Sequence, residues 1–98
     1  EKRGNKKEAR RAAAEARERT KDLRTRARKA EQEMGKLTDQ RSAIDRAMFD
    51  PDRAEAPYKN QGMTELMKKR GEIEKKLDAA EAVWLEASEA LETAEAAE

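Results

Sequence analysis

The chain has 98 residues, 46% of them charged and 3% aromatic, with 23 Lys/Arg against 22 Asp/Glu for a net charge of +1. It has no cysteine and no histidine, which excludes a disulfide framework, a thiolate or imidazole metal site, and Cys–His or Ser–His–Asp catalysis. This length allows one domain at most, and a 36% hydrophobic share rich in alanine leaves two readings: a disordered charged chain, or long helices zipped along a thin seam.

Lys2, Arg3, Lys6 and Lys7 open the sequence, and residues 1–8 are predicted to form a basic, mobile arm. A first helix is predicted over about 6–49. Ala9, Ala13, Ala16, Thr20, Leu23, Ala27, Ala30, Met34, Leu37, Arg41, Ile44 and Met48 recur in steps of four and three without a slip. Phe49-Asp50-Pro51-Asp52 begins a break, and Ala56-Pro57-Tyr58-Lys59-Asn60-Gln61-Gly62 ends it. That places a loop at about 50–61. A second helix is predicted over about 62–95, capped near Gly62 or Asn60. Its seam runs Met63, Leu66, Arg70, Ile73, Leu77, Ala80, Trp84, Ala87, Leu91, Ala94, again in steps of three and four. A sustained 3.5-residue spacing is the coiled-coil signal. A disordered chain has no reason to keep it, so the seam decides for helices. The short loop folds the second helix back, and the expected fold is all-α: an antiparallel two-helix coiled-coil hairpin over residues 9–98.

The charges are divided along the chain. Residues 1–29 hold 13 Lys/Arg against 5 Asp/Glu, and residues 78–98 hold 7 acids and no base. An antiparallel hairpin sets these segments together. Two registers one heptad apart keep seam on seam. If paired core positions add to 107, the flanking Arg10 meets Glu95, Arg24 meets Glu81 and Glu33 meets Lys76, and Glu31 lies beside Glu74. If they add to 114, Ala30 faces Trp84 and Leu37 faces Leu77. The charge matches favour the first and side-chain volumes the second; the first is the expectation taken here.

Arg41 and Arg70 interrupt the apolar seam, and Gly35 and Gly71 lie inside helices, where glycine costs about 1 kcal/mol relative to Ala. Either the Arg stems snorkel with their heads on Asp45 or Glu74, or the helices are irregular near the tip. Trp84 and the four methionines are expected in the core, and Tyr58 in the packing of the loop. Carboxylate pairs such as Glu72/Glu74 and Asp50/Asp52 lack a cleft, so no catalytic, metal or cofactor role is expected.

Several bases point away from the seam: Arg11, Lys21, Arg28, Lys29, Lys36 and Arg46 on the first helix, Lys68 and Lys69 on the second. With Lys2, Arg3, Lys6 and Lys7 they are the candidate nucleic-acid-binding residues. The plainer account makes them solvated helix faces, with the seam-flanking Arg10, Arg17, Arg19, Arg24 and Arg26 neutralised by acids of the second helix.

Arg10-Arg11-Ala12-Ala13-Ala14-Glu15-Ala16-Arg17, Ile44-Asp45, Phe49-Asp50-Pro51, Met63-Thr64-Glu65-Leu66-Met67-Lys68-Lys69-Arg70 and Glu81-Ala82-Val83-Trp84-Leu85-Glu86-Ala87 follow in an order that resembles the C-terminal domain of ABC-F ATPases of the Uup-like branch. The resemblance spans about residues 7–94. It implies a DNA- or ribosomal-RNA-binding appendage of a soluble cytoplasmic ATPase, whose ABC domains carry the ATP chemistry. This chain has no G-x-x-x-x-G-K-[ST] run of its own. Its first residue is Glu, which fits a domain taken from a longer protein. The expected function is therefore a non-catalytic nucleic-acid-binding module acting as a monomer; the alternative is a structural or protein-interaction coiled coil that orients the parent ATPase.

Overall fold

The computed structural model describes residues 2–97. Helix α1 runs Lys2–Phe49, a single 3-10 turn Pro51–Arg53 follows, and helix α2 runs Met63–Ala96. The two helices lie antiparallel in a rod of 75 × 18 × 16 Å. The expected hairpin is thus the observed fold. Among the described residues no helix is long and apolar enough to cross a membrane.

Helix α1 is helical from Lys2, so the described residues of the expected arm continue the helix. Pro51 cannot extend it, and the last turn closes with the Asp50 N–H donating to Arg46 O at 2.8 Å. The connection then folds on itself. The Tyr58 and Lys59 amides both donate to Glu55 O at 3.0 and 3.1 Å. Gln61 Nε2 donates to Pro57 O at 2.8 Å. Asn60 takes a left-handed φ of 69°, a conformation Asn tolerates better than most residues, so it serves the turn and Gly62 is the N-cap of α2.

The core is concentrated at this end. Leu37, Ile44, Ala47, Ala54, Leu66 and Ile73 form one buried cluster, with Met48, Tyr58, Leu77 and Ala80 packed against it. Ile44 has no exposed surface. The loop caps the cluster through Ala54 and Tyr58, so Tyr58 packs as expected. Farther along, the seam narrows to Thr20, Ala30 and Ala87, all buried, and the Thr20 hydroxyl donates to Ala16 O at 3.0 Å. Trp84, expected in the core, is only half-buried and lies beside Leu85 and Ala82 at an open face. Met63 and Met67 are 52% and 59% exposed, contrary to expectation. Met63 sits on the first turn of α2, where α1 has already ended, and Met67 lies off the seam, on an open face beside Met48 and Phe49.

The register is the volume-matched one. Facing numbers add to 115 for Asp45 with Arg70 (2.7 Å) and for Arg41 with Glu74 (4.0 Å). Glu95 pairs with Arg24 at 3.5 Å, where the charge-matched register required Arg10. The correction follows from magnitudes. Exposed ion pairs contribute about 0–1 kcal/mol each, whereas burying a Leu or Ile side chain contributes about 1.5–3 kcal/mol. Leu37 and Leu77 joining one cluster outweighs the better charge list.

Arg41 and Arg70 behave as snorkelling seam residues. Arg70 Nε donates to Asp45 Oδ1 and Arg70 also bonds Glu74 Oε1. The Asp45 hydrogen bond raises the Arg70 pKa above its ordinary value, so two Arg and two carboxylates close a neutral girdle. Both helices pass through Gly35 and Gly71 without a break.

Candidate nucleic-acid interface

Helix length sets the geometry of the candidate surface. At 1.5 Å per residue, the 48 residues of α1 span about 72 Å and the 34 of α2 about 51 Å. In the observed register α2 ends near Ala13, Ala16 and Arg17, which line a notch with Ala97. Residues 3–15 are all exposed, and Ala16 is the first half-buried position. The first part of α1 is therefore a lone helix projecting about 20 Å beyond its partner.

This overhang carries Arg3, Lys6, Lys7, Arg10 and Arg11 against Glu8 and Glu15. At about 100° per residue the five bases fall within an arc of about 140°, and the two acids lie together on another face. None of the five bases has an ion-pair partner among the described residues. Of the acids of residues 78–98, expected beside residues 1–29, those from Asp78 to Glu95 lie instead abreast of about 20–37, so α2 leaves the overhang uncompensated.

The overhang is also electrostatically costly as a helix. Arg3–Lys7, Lys6–Arg10 and Lys7–Arg11 are like-charge pairs four apart, and Arg3–Lys6 and Lys7–Arg10 are like-charge pairs three apart. Each such pair destabilises a helix by about 0.2–0.5 kcal/mol.

The candidate residues fall into three groups. Arg3, Lys6, Lys7 and Arg11 sit on the overhang; the side chain of Lys2 lies outside the described residues. Lys21, Arg28, Lys29 and Lys36 are exposed along the paired rod, and Arg46 and Lys68 are exposed near the tip. Lys69 is half-buried, its Nζ 5.8 Å from the centroid of the Tyr58 ring, which engages it within the fold. Arg3 and Arg46 are about 65 Å apart along α1, so the twelve candidates do not form one site.

Sequence reasoning missed Arg10 and Arg17 by assigning them to seam neutralisation. In the structure Arg10 lies beyond α2, and Arg17 makes no ion pair among the described residues. With them the bases form a continuous stripe: Arg3, Lys7, Arg10, then past Ala14 to Arg17, Lys21, Arg24 and Arg28. The steps are those of the seam, and the stripe runs about 38 Å along one flank of α1. Glu8, Glu15 and Asp22 recur every seven residues on the other flank. The signal was present in the sequence as this second four-and-three pattern.

A lone helix is about 10–12 Å across, close to the width of a B-form major groove at about 12 Å. The paired rod at 18 × 16 Å is too thick to enter and can only lie across a phosphate backbone. No protein-family model, no curated protein and no solved structure significantly matches this chain.

Proposed function

We propose that this chain is a non-catalytic nucleic-acid-binding module that contacts the phosphate backbone of DNA or ribosomal RNA through the overhang of α1 and the basic stripe behind it. One observation carries this reading: five bases on one face of a helix that its partner helix does not reach. Cations left uncompensated by their own fold are those available to release counterions from a polyanion. The overhang supplies most of the charge, and Arg17, Lys21 and Arg28 of the stripe extend the contact toward the rod, while Arg24 is held by Glu95. The wider setting is the one the resemblance implies, the C-terminal module of a soluble cytoplasmic ABC-F ATPase with the ABC domains of the same parent chain as its covalent neighbours.

Titration against duplex DNA and structured RNA from 50 to 200 mM salt tests the proposal. Five phosphate contacts give a slope of log K against log salt of about −4.5 on B-form DNA and a loss of roughly 500-fold over that range. Absence of binding at 50 mM salt would overturn it.

A further inference from the structure

We infer that the overhang is an anion-gated helix: residues 3–15 are only partly helical in the free chain, and a bound polyanion completes the helix seen in the structure. The inference rests on the nucleic-acid reading of this same face and adds how the site is controlled. Four observations converge on it.

The first is the lack of tertiary support. Every residue from Arg3 to Glu15 is exposed, so this stretch lacks the tertiary packing of an apolar face from which most helical stability in proteins comes. The second is like-charge crowding, five repulsive pairs among five bases, which phosphates laid along the arc would neutralise together. The third is that Glu8 and Glu15 make no ion pair with these bases among the described residues, so the acids of the overhang do not offset the crowding. The fourth is Gly4, whose neighbourhood is open space, so its poor helix propensity is offset by no packing. The paired part of α1, from Ala16 on, is held by its packing on α2 and acts as the preformed nucleus from which the overhang grows.

Binding and ordering are then one step. The free arm sweeps a larger volume than a rigid helix, and the bases line up as a stripe only when phosphates hold them. Two consequences separate this from a rigid basic helix. Added salt should raise helicity in residues 3–15 while it weakens nucleic-acid binding, because screening relieves repulsion and bulk salt reduces the gain from counterion release. Replacing one base by an acid at the centre of the cluster should order the arm without any ligand.

The test uses the 98-residue chain, isotope-labelled, with Cα chemical shifts read residue by residue. A 16-base-pair DNA duplex and inorganic polyphosphate are the two probes, and binding is followed separately by anisotropy. In the free chain at 20 mM salt, residues 3–12 should show less than half the helical shift of residues 20–45. Either probe should bring them to the same value. Lys7→Glu, which turns the Arg3–Lys7 and Lys7–Arg11 repulsions into attractions, should be more helical than the parent over these residues without a probe, and should bind the duplex at least tenfold more weakly. Full helical shifts in the free parent at 20 mM salt would overturn the inference, and so would duplex binding that leaves the arm unordered. In both cases nucleic-acid binding stands. Ordering by polyphosphate with no duplex binding would sustain the gate and remove nucleic acid as its ligand.

Discussion

Arg10→Gln separates the observed register from the one the charge pattern favours. In the observed register Arg10 lies one to two turns beyond the end of α2, has no carboxylate partner among the described residues and faces solvent beside Arg3 and Lys7. Its removal deletes one phosphate contact. In the counterion-release relation one contact is worth about 0.9 in the salt exponent, or about 15-fold in affinity at 50 mM salt and about 4-fold at 200 mM. The expected result is a slope reduced from about −4.5 to about −3.6, measured by fluorescence anisotropy on a DNA duplex at four salt concentrations. Thermal melting of the same variant should stay within about 0.5 kcal/mol of the parent, as for other surface changes away from structural features. Had Arg10 met Glu95, the pattern would be inverted: a small loss of stability and an unchanged slope. That outcome would refute both the register and the interface built on it.

Other substitutions probe the fold. Ile44→Ala, at the fully buried centre of the tip cluster, should cost about 2–5 kcal/mol and lower the melting temperature by about 4–8 °C per kcal/mol. Leu23→Ala in the thin half should cost clearly less, because Leu23 is only half-buried; equal costs would contradict an uneven core. Gly35→Ala and Gly71→Ala should each stabilise by about 1 kcal/mol, since an added Cβ meets nothing within 4 Å at either site; urea midpoints decide. Asp45→Ala should lower the melting temperature by leaving the Arg70 Nε–H without its acceptor, while Arg53→Ala, at an 87% exposed side chain, should leave it unchanged.

The hairpin was legible because its determinants are local and redundant. Twelve seam positions on one helix and ten on the other keep one spacing, and Pro51 and Gly62 mark where each helix must stop and start. The snorkelling of Arg41 and Arg70 was also readable, since Asp45 and Glu74 lie within one turn of them. Register was not, because slipping by one heptad returns seam to seam and exposed charges to some partner. What distinguishes the two registers is the loop, which must fold compactly enough to bury Ala54 and pack Tyr58 against the cluster that holds Ile44 and Leu66. Backbone bonds from Tyr58 and Lys59 to Glu55 have no sequence signature as clear as a heptad. The error then propagated to the interface. With α2 placed a heptad too far along, Arg10 and Arg17 looked neutralised, and the lone helix could not be foreseen. Met63 was misread similarly, as seam spacing says which face a residue is on but not whether a partner reaches it, and Met67 was expected in the core although its position lies off the seam.

The uneven seam has a mechanical consequence. The start of α1 and the end of α2 lie on the side away from the loop, so a load applied through them peels the helices apart one pair at a time. The first contacts to part are those of Thr20, Ala30 and Ala87, where side chains are small and each step yields little resistance. Peeling should stall at Leu37, Ile44, Leu66 and Ile73, where several large side chains must separate at once. A force–extension trace should therefore show a soft, reversible opening of the alanine half before a single sharper rupture at the capped end. Local opening of this kind follows the distribution of buried apolar contacts. The end that holds the basic stripe thus yields first, while the capped end keeps the two helices in register for closing again.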